Sequence, residues 1–367
     1  MGPFDSAWFA AAIIAATPLI FAAVGELFSE RAGVLNVGIE GMVLMGAFWG
    51  FWGDWYFSDT WAGIACGLAA GMVLASVMAV LSIQARADQI VVGVGLNILA
   101  LGITTFAFRE IFGSRAEIVL DRMDPIKIPL LSDIPGVGEA LFDNTPITYL
   151  AFTAVLVASV VLYRTKWGLS IRAVGEVPAA ADTAGVSVAA KRWQAILVTG
   201  ALAGVAGASL SVVRLGLFQE NMSAGRGFLA LAAVIFGRWR PLGVLGACLV
   251  FGAADALQLR LQAEEFIPRE VWLVVGIGVL VSTVWVAWQR WHGKTGLWRP
   301  STLGPVFGLL VAACAFALWV AEPNISLPSQ LWLALPYVVT LAALASIKGS
   351  SSAPAAITQP YRREIEA

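Results

Sequence analysis

Asn36 and Glu40 stand one helical turn apart in an apolar stretch, flanked by Gly33, Gly38 and Gly41. A carboxylate in such surroundings is costly, so it faces a cavity or a partner. Together the two side chains can accept and donate hydrogen bonds to a polar solute. The glycines permit a helix break of the kind that lines solute sites between helices. The plainer reading pairs Glu40 with a basic group such as Arg31. Other polar groups inside apolar runs are Asn97, Arg109, Glu110, Arg214, Asp255, Gln258 and Arg260. Asp255 and Gln258 share one helix face. They form either an interhelical hydrogen-bonded pair or part of a polar lining. Arg109 and Glu110 read as interfacial.

A second candidate region is Gly168–Arg192. Glu176–Ala184 reads as a short helix, with Pro178 tolerated in its first turn and Gly185 as its stop. Its small side chains present a flat surface. It is either an ordinary interfacial helix or one that docks in the groove of a soluble partner. Enzyme chemistry finds less support. The chain has one histidine, His292, and its cysteines (Cys66, Cys248, Cys314) lie in apolar runs without zinc spacing. A phosphate-cradling G-x-x-x-x-G-K-[ST] stretch is missing, so the chain cannot supply an ATP site by that route.

These residues sit in a chain of 367 residues that is 59% hydrophobic and 13% charged, with a mean hydropathy of +0.81. Soluble domains carry about 25% charged residues. The composition therefore describes an all-α, polytopic membrane helix bundle. The net charge of −1 builds no basic face, which argues against a nucleic-acid partner. A spanning helix needs about 20 apolar residues. Candidate spans are Ala7–Gly25, Val34–Trp52, Trp61–Ile83, Ile90–Phe112, Pro146–Tyr163, Trp193–Leu215, Leu242–Leu261, Val271–Trp288, Leu303–Ala321 and Ser329–Ile347. Gly227–Gly237 is too short to cross and reads as a half-spanning or broken helix, or as one that continues past a break at Gly237. The expected total is about 10–11 segments. Gly63, Gly67 and Gly71, like Gly200 and Gly204, recur on one helix face and let helices approach closely.

Basic residues mark cytoplasmic loops. Arg164–Arg192, Gln289–Arg299 and the tail are rich in Lys and Arg, whereas Gly113–Thr145 is mostly acidic. The expected orientation is N-terminus outside and C-terminus inside, without a cleaved signal peptide. Residues 1–347 are expected to form one transmembrane domain, and 348–367 a loosely ordered cytoplasmic tail.

The chain resembles the permease subunits of ATP-binding-cassette importers for nucleosides and simple sugars, within the larger branched-chain-amino-acid-permease-like family. The matching stretches are Gly25–Gly46, Gln89–Asn97, Arg172–Val188, Thr199–Gly207, Gly225–Gly243 and Pro354–Glu364. Gly25–Gly46 and Gly225–Gly243 look most like the nucleoside branch. The resemblance implies a cytoplasmic coupling helix carrying Gly175, Glu176, Ala180, Ala181, Gly185 and Val186. It also implies a separate ATPase subunit, a second related permease, an extracytoplasmic solute-binding protein and residence in the bacterial cytoplasmic (inner) membrane, among lipid. It implies no cofactor, metal or catalytic residue. Asn36, Glu40, Asn97, Asp255 and Gln258 are the expected solute pathway. One departure stands out. Ile267–Leu273 is echoed at Leu327–Leu333, an offset of 60 residues, so residues 268–327 read as a two-helix insertion. A stand-alone ion-coupled transporter using Glu40 or Asp255, and a membrane-embedded enzyme, are the competing readings.

Overall fold

The computed structural model describes residues 5–113, 118–132, 134, 138–263, 268–291, 303–321, 328–336, 338 and 353–361. The long helices are α1 (Ser6–Arg31), α2 (Ile39–Phe57), α3 (Thr60–Ala79) and α4 (Gln89–Phe112). After the connecting segment come α5 (Gly138–Phe142), α6 (Pro146–Arg164), α7 (Lys166–Glu176), α8 (Pro178–Thr183) and α9 (Val188–Ala208). The chain continues with α10 (Arg226–Phe236), α11 (Pro241–Ala263), α12 (Arg269–Trp291), α13 (Leu303–Ala321) and α14 (Ser329–Trp332). π-helical turns extend α3 to Gln84 and α9 to Leu215. The protein is a multi-pass membrane helix bundle. Among the described residues, α1, extended α3, α4, α6, extended α9 and α11 are long and apolar enough to cross a membrane. A small β-ribbon, β1 (Ile126–Lys127) with β2 (Asp143–Asn144), braces the segment before α6.

α1 is the central post, buried almost continuously from Ala12 to Glu30. It starts on Asp5, which accepts from the Trp8 N–H at 2.9 Å and from Arg260 of α11 at 2.6 Å. The Arg260 hydrogen bond holds the Asp5 carboxyl below its ordinary value. Helix α9 packs on α1, and α2, α3 and α9 pack on one another backbone to backbone through glycine. A Cβ on Gly204 would lie 2.2 Å from the Gly67 carbonyl oxygen, and one on Gly71 would lie 2.1 Å from that of Gly200. In lipid this closeness replaces the hydrophobic effect as a packing force, because shorter helix separation strengthens dispersion.

Several boundaries differ from the sequence reading. α1 continues to Arg31 rather than stopping at Gly25, and α2 begins at Ile39 rather than Val34. The expected helix over 176–184 is divided at Val177 into α7 and α8, because the proline ring at 178 starts a new helix at its first position. Gly185 ends α8 with φ +83°. The tail is ordered where it was expected to be loose, with Ala353–Tyr361 packed on α7 and α8. The span expected at Ser329–Ile347 lies largely outside the described residues, and only α14 and its next few residues are described.

Candidate functional site

The chain leaves the helical path between α1 and α2. A break inside a bundle must satisfy its own backbone groups, and side chains from α1 and α4 do so. The Leu35 N–H donates to Gln89 Oε1 at 2.9 Å, and the Asn36 N–H to Glu26 Oε1 at 2.9 Å. Asn97 Nδ2 donates to the Val37 carbonyl at 3.0 Å, while its Oδ1 accepts from the Gly41 N–H at 2.8 Å. Gly33 takes φ +84° at the turn. Asn97 is thus a clamp from α4 on the start of α2. Asn36 is fully buried, with its Nδ2 on Met42 Sδ at 3.3 Å.

Glu40 faces α10. Its Oε1 accepts from the Gly225 N–H at 2.8 Å and its Oε2 from the Gly227 N–H at 2.6 Å. These donors sit at the start of a helix, where unpaired N–H groups and the helix dipole favour an anion. The carboxylate therefore caps α10 from a different helix. A Cβ on Gly227 would lie 2.5 Å from Glu40 Cα, so the approach requires glycine. Arg31, the basic partner considered for Glu40, is engaged elsewhere. Its Nε and Nη2 donate to the Trp239 carbonyl at 2.9 and 2.6 Å. The Trp239 indole N–H in turn donates to Glu30. The 11 residues of α10, about 16 Å of helix, are therefore gripped at both ends by α1 and α2. This half-helix ends at Gly237 and does not continue past it.

Asp255 and Gln258 lie apart from that cluster, on a cavity of about 450 Å³. Asp255 receives Arg214 at 3.6 Å and Arg226 at 3.8 Å. Leu210, Met222 and Phe251 form apolar wall. The start of α10 joins the two groups, because Gly225 and Gly227 hold Glu40 while Arg226 between them reaches Asp255. The cavity offers donors, acceptors and an apolar surface, the combination that orients a neutral polar solute. Among the described residues, no group of three His, Cys, Asp or Glu is placed to hold a metal.

At the end of the bundle where α7 and α8 lie, the coupling-helix candidates divide by exposure. Glu176, Ala180 and Gly185 are exposed, and Val186 is half-buried. Gly175 and Ala181 are buried. A Cβ on Gly175 would lie 2.1 Å from the Arg31 carbonyl oxygen, and Arg31 approaches Glu176 at 3.9 Å. The end of α1 therefore touches both α7 and the end of α10.

Sequence reasoning missed Arg226 as a partner of Asp255, the Glu30–Trp239–Arg31 clasp and Arg192. Arg226 lies within the Gly225–Gly243 motif, so a basic residue between two glycines at a half-helix start was an available signal. The clasp joins residues about 200 positions apart in sequence, and no local spacing reveals it.

A multi-pass bundle with a broken-helix centre and a half-helix is the architecture of a membrane permease. The branched-chain amino acid transport system / permease component family matches residues 9–284, and the chain belongs to that family. It is similar to TsgC13 of Haloferax volcanii, named as a proposed glucose ABC transporter permease protein. The identity is 44%, covering 69% of this chain and 77% of TsgC13. It is similar to the guanosine ABC transporter permease protein NupQ of Bacillus subtilis, at 37% identity over 68% of this chain and 81% of NupQ. The guanosine ABC transporter permease protein NupP of the same organism matches at 26% identity, over 72% of this chain and 75% of NupP. No solved structure matches the chain.

Proposed function

We propose that the chain is the transmembrane subunit of an ATP-driven importer of nucleosides, with the cavity around Asp255 and Gln258 on the solute path. The observation that carries this reading is the cavity itself. Its Asp255–Arg214–Arg226 group can engage ribose hydroxyls, and the wall of Leu210, Met222 and Phe251 can hold a base. Likeness to NupQ supports nucleosides, and likeness to TsgC13 supports a sugar as the second reading. Asn36, Glu40 and Asn97 shape the half-helix beside the path. Energy comes from a separate ATPase docked on α8, and solute from an extracytoplasmic binding protein. A second related permease completes the pore, a reading supported by the match to both NupQ and NupP. Helices α12 and α13 belong to a peripheral insertion, a reading supported by their packing chiefly on each other.

The Lys/Arg distribution supports a cytoplasmic side for α7, α8 and the tail and an external one for Gly113–Thr145. An impermeant thiol reagent on intact cells should label Leu130→Cys and spare Ser187→Cys; reversed labelling would invert the topology. For the solute, cells bearing the complete transporter should take up labelled uridine or guanosine, and excess unlabelled nucleoside should compete. Gln258→Ala should weaken uptake by about 10-fold, the loss of one or two solute hydrogen bonds. Competition by glucose and not by nucleosides would replace the first reading with the second.

A further inference from the structure

The segment Ala353–Tyr361 is hydrogen-bonded to α7, α8 and α9, the three helices around the coupling region. The Ala356 N–H donates to the Gly175 carbonyl at 2.9 Å, and the Ala355 N–H reaches Glu176 Oε2 at 3.4 Å. The Tyr361 hydroxyl donates to Asp182 Oδ2 on α8 at 3.0 Å. Arg192 of α9 donates through Nη1 to the Gln359 carbonyl at 2.9 Å and through Nε to the Ala32 carbonyl at 3.2 Å. That one buried guanidinium ties the tail to the first residue of the α1–α2 break. Tyr361 also packs on a small apolar cluster of Val174, Ala181 and Val188, separate from the main core.

α8 has only 6 residues. A helix shorter than about 12 residues has little stability of its own, so its position comes from what it packs against. The satellite cluster has three small buried members, and the tail supplies its aromatic ring. We propose that Pro354–Tyr361 is a strap that sets the position of α7 and α8 relative to the end of α1, with Tyr361 and Arg192 as its positioning residues. The strap deepens the reading of α8 as the ATPase-coupling helix and rests on that reading for its consequence in transport.

The test uses the full transporter complex in detergent and in liposomes, with a chain ending at Ala353, Tyr361→Ala and Tyr361→Phe. The readout is amide exchange at Ala181, Ala184, Gly185 and Val186, with the amides of α1 as the folding control. Losing the strap should speed exchange at these four amides by about 10-fold or more. Tyr361→Ala should follow the truncation. Tyr361→Phe keeps the ring in the cluster and should stay near wild type. The same preparations should carry fewer solute molecules per ATP hydrolysed in Tyr361→Ala and in the truncation, with Tyr361→Phe near wild type. Unchanged α8 exchange in both the truncation and Tyr361→Ala, with α1 intact, overturns the strap. Faster α8 exchange with an unchanged solute-to-ATP ratio supports the strap and instead removes the coupling role from α8.

Discussion

Glu40 shows how one carboxylate can be read two ways from sequence and acquire a third partner in the fold. Both of its oxygens are taken by backbone N–H groups of Gly225 and Gly227, so its first task is to hold the half-helix. Glu40→Ala would orphan two donors, one buried and one half-buried. A hydrogen bond to a charged group contributes about 1.5–3 kcal/mol, so this variant should be destabilised by at least that much. Glu40→Gln keeps one acceptor but turns an amide NH2 toward a donor, and should fall between. Gly227→Ala places a methyl against Glu40 Cα and should cost about 1–3 kcal/mol by overpacking. Thermal unfolding of the detergent-solubilised protein checks the order: Glu40→Ala and Gly227→Ala below Glu40→Gln, and all below wild type. A Glu40→Ala protein as stable as wild type but inactive in uptake would show that Glu40 serves the solute rather than the helix. The unusual polarity of Asn36, Glu40 and Asn97 was legible in sequence because apolar surroundings make each one conspicuous. Their partners were not, because Gly225 lies 185 residues from Glu40 and glycine N–H groups carry no side-chain signature.

At the scale of elements, composition and spacing revealed the long apolar helices and the glycine faces, since each obeys a local rule. The breaks were less legible. Helix ends inside a bundle depend on distant donors and acceptors such as Gln89 and Asn97, and the end of α1, turned at Gly33, is also tied through Arg31 to Trp239. The division at Val177 also changes which face of α8 is available. Ala181 points into the cluster with Val174 and Val188, whereas Ala180 points out. Ala180→Arg should therefore leave the fold intact and weaken ATPase binding. An unpaired charge at an interface costs about 2–5 kcal/mol, which is about 30-fold or more in affinity. Ala181→Arg should instead disturb α8 itself and lower the yield of folded protein. Co-purification of the ATPase, normalised to folded permease, separates the two. Undiminished capture by Ala180→Arg would move the docking surface off α8.

At the scale of the whole molecule, the pieces form two assemblies with different packing. Helices α2, α3 and α9 interlock through glycine, α9 joins that trio to α1, and α10 and α11 close on α1. By contrast, α12 and α13 pack chiefly on each other among the described residues, while α14 rests on α11. The family match reaches residue 284, inside α12. A helix pair that packs mostly against itself contributes little to the fit of the remaining helices, and deleting two helices that each cross once would preserve the side on which the tail emerges. Removing residues 268–327 joins Ile267 to Pro328 and should leave the α1–α2–α3–α9 assembly, the Asp255 cavity and the tail contacts in place. The shortened protein should reach the membrane and sustain uptake at a reduced rate, because Leu333 and Pro336 after α14 also line the cavity and their seating depends on the new junction. Uptake by cells matched for membrane-embedded permease is the measurement. Complete loss of uptake at normal membrane levels would place the helix pair on the solute path or against an essential partner subunit. Uptake equal to wild type would show that the segment after α14 seats itself on α11 without the helix pair.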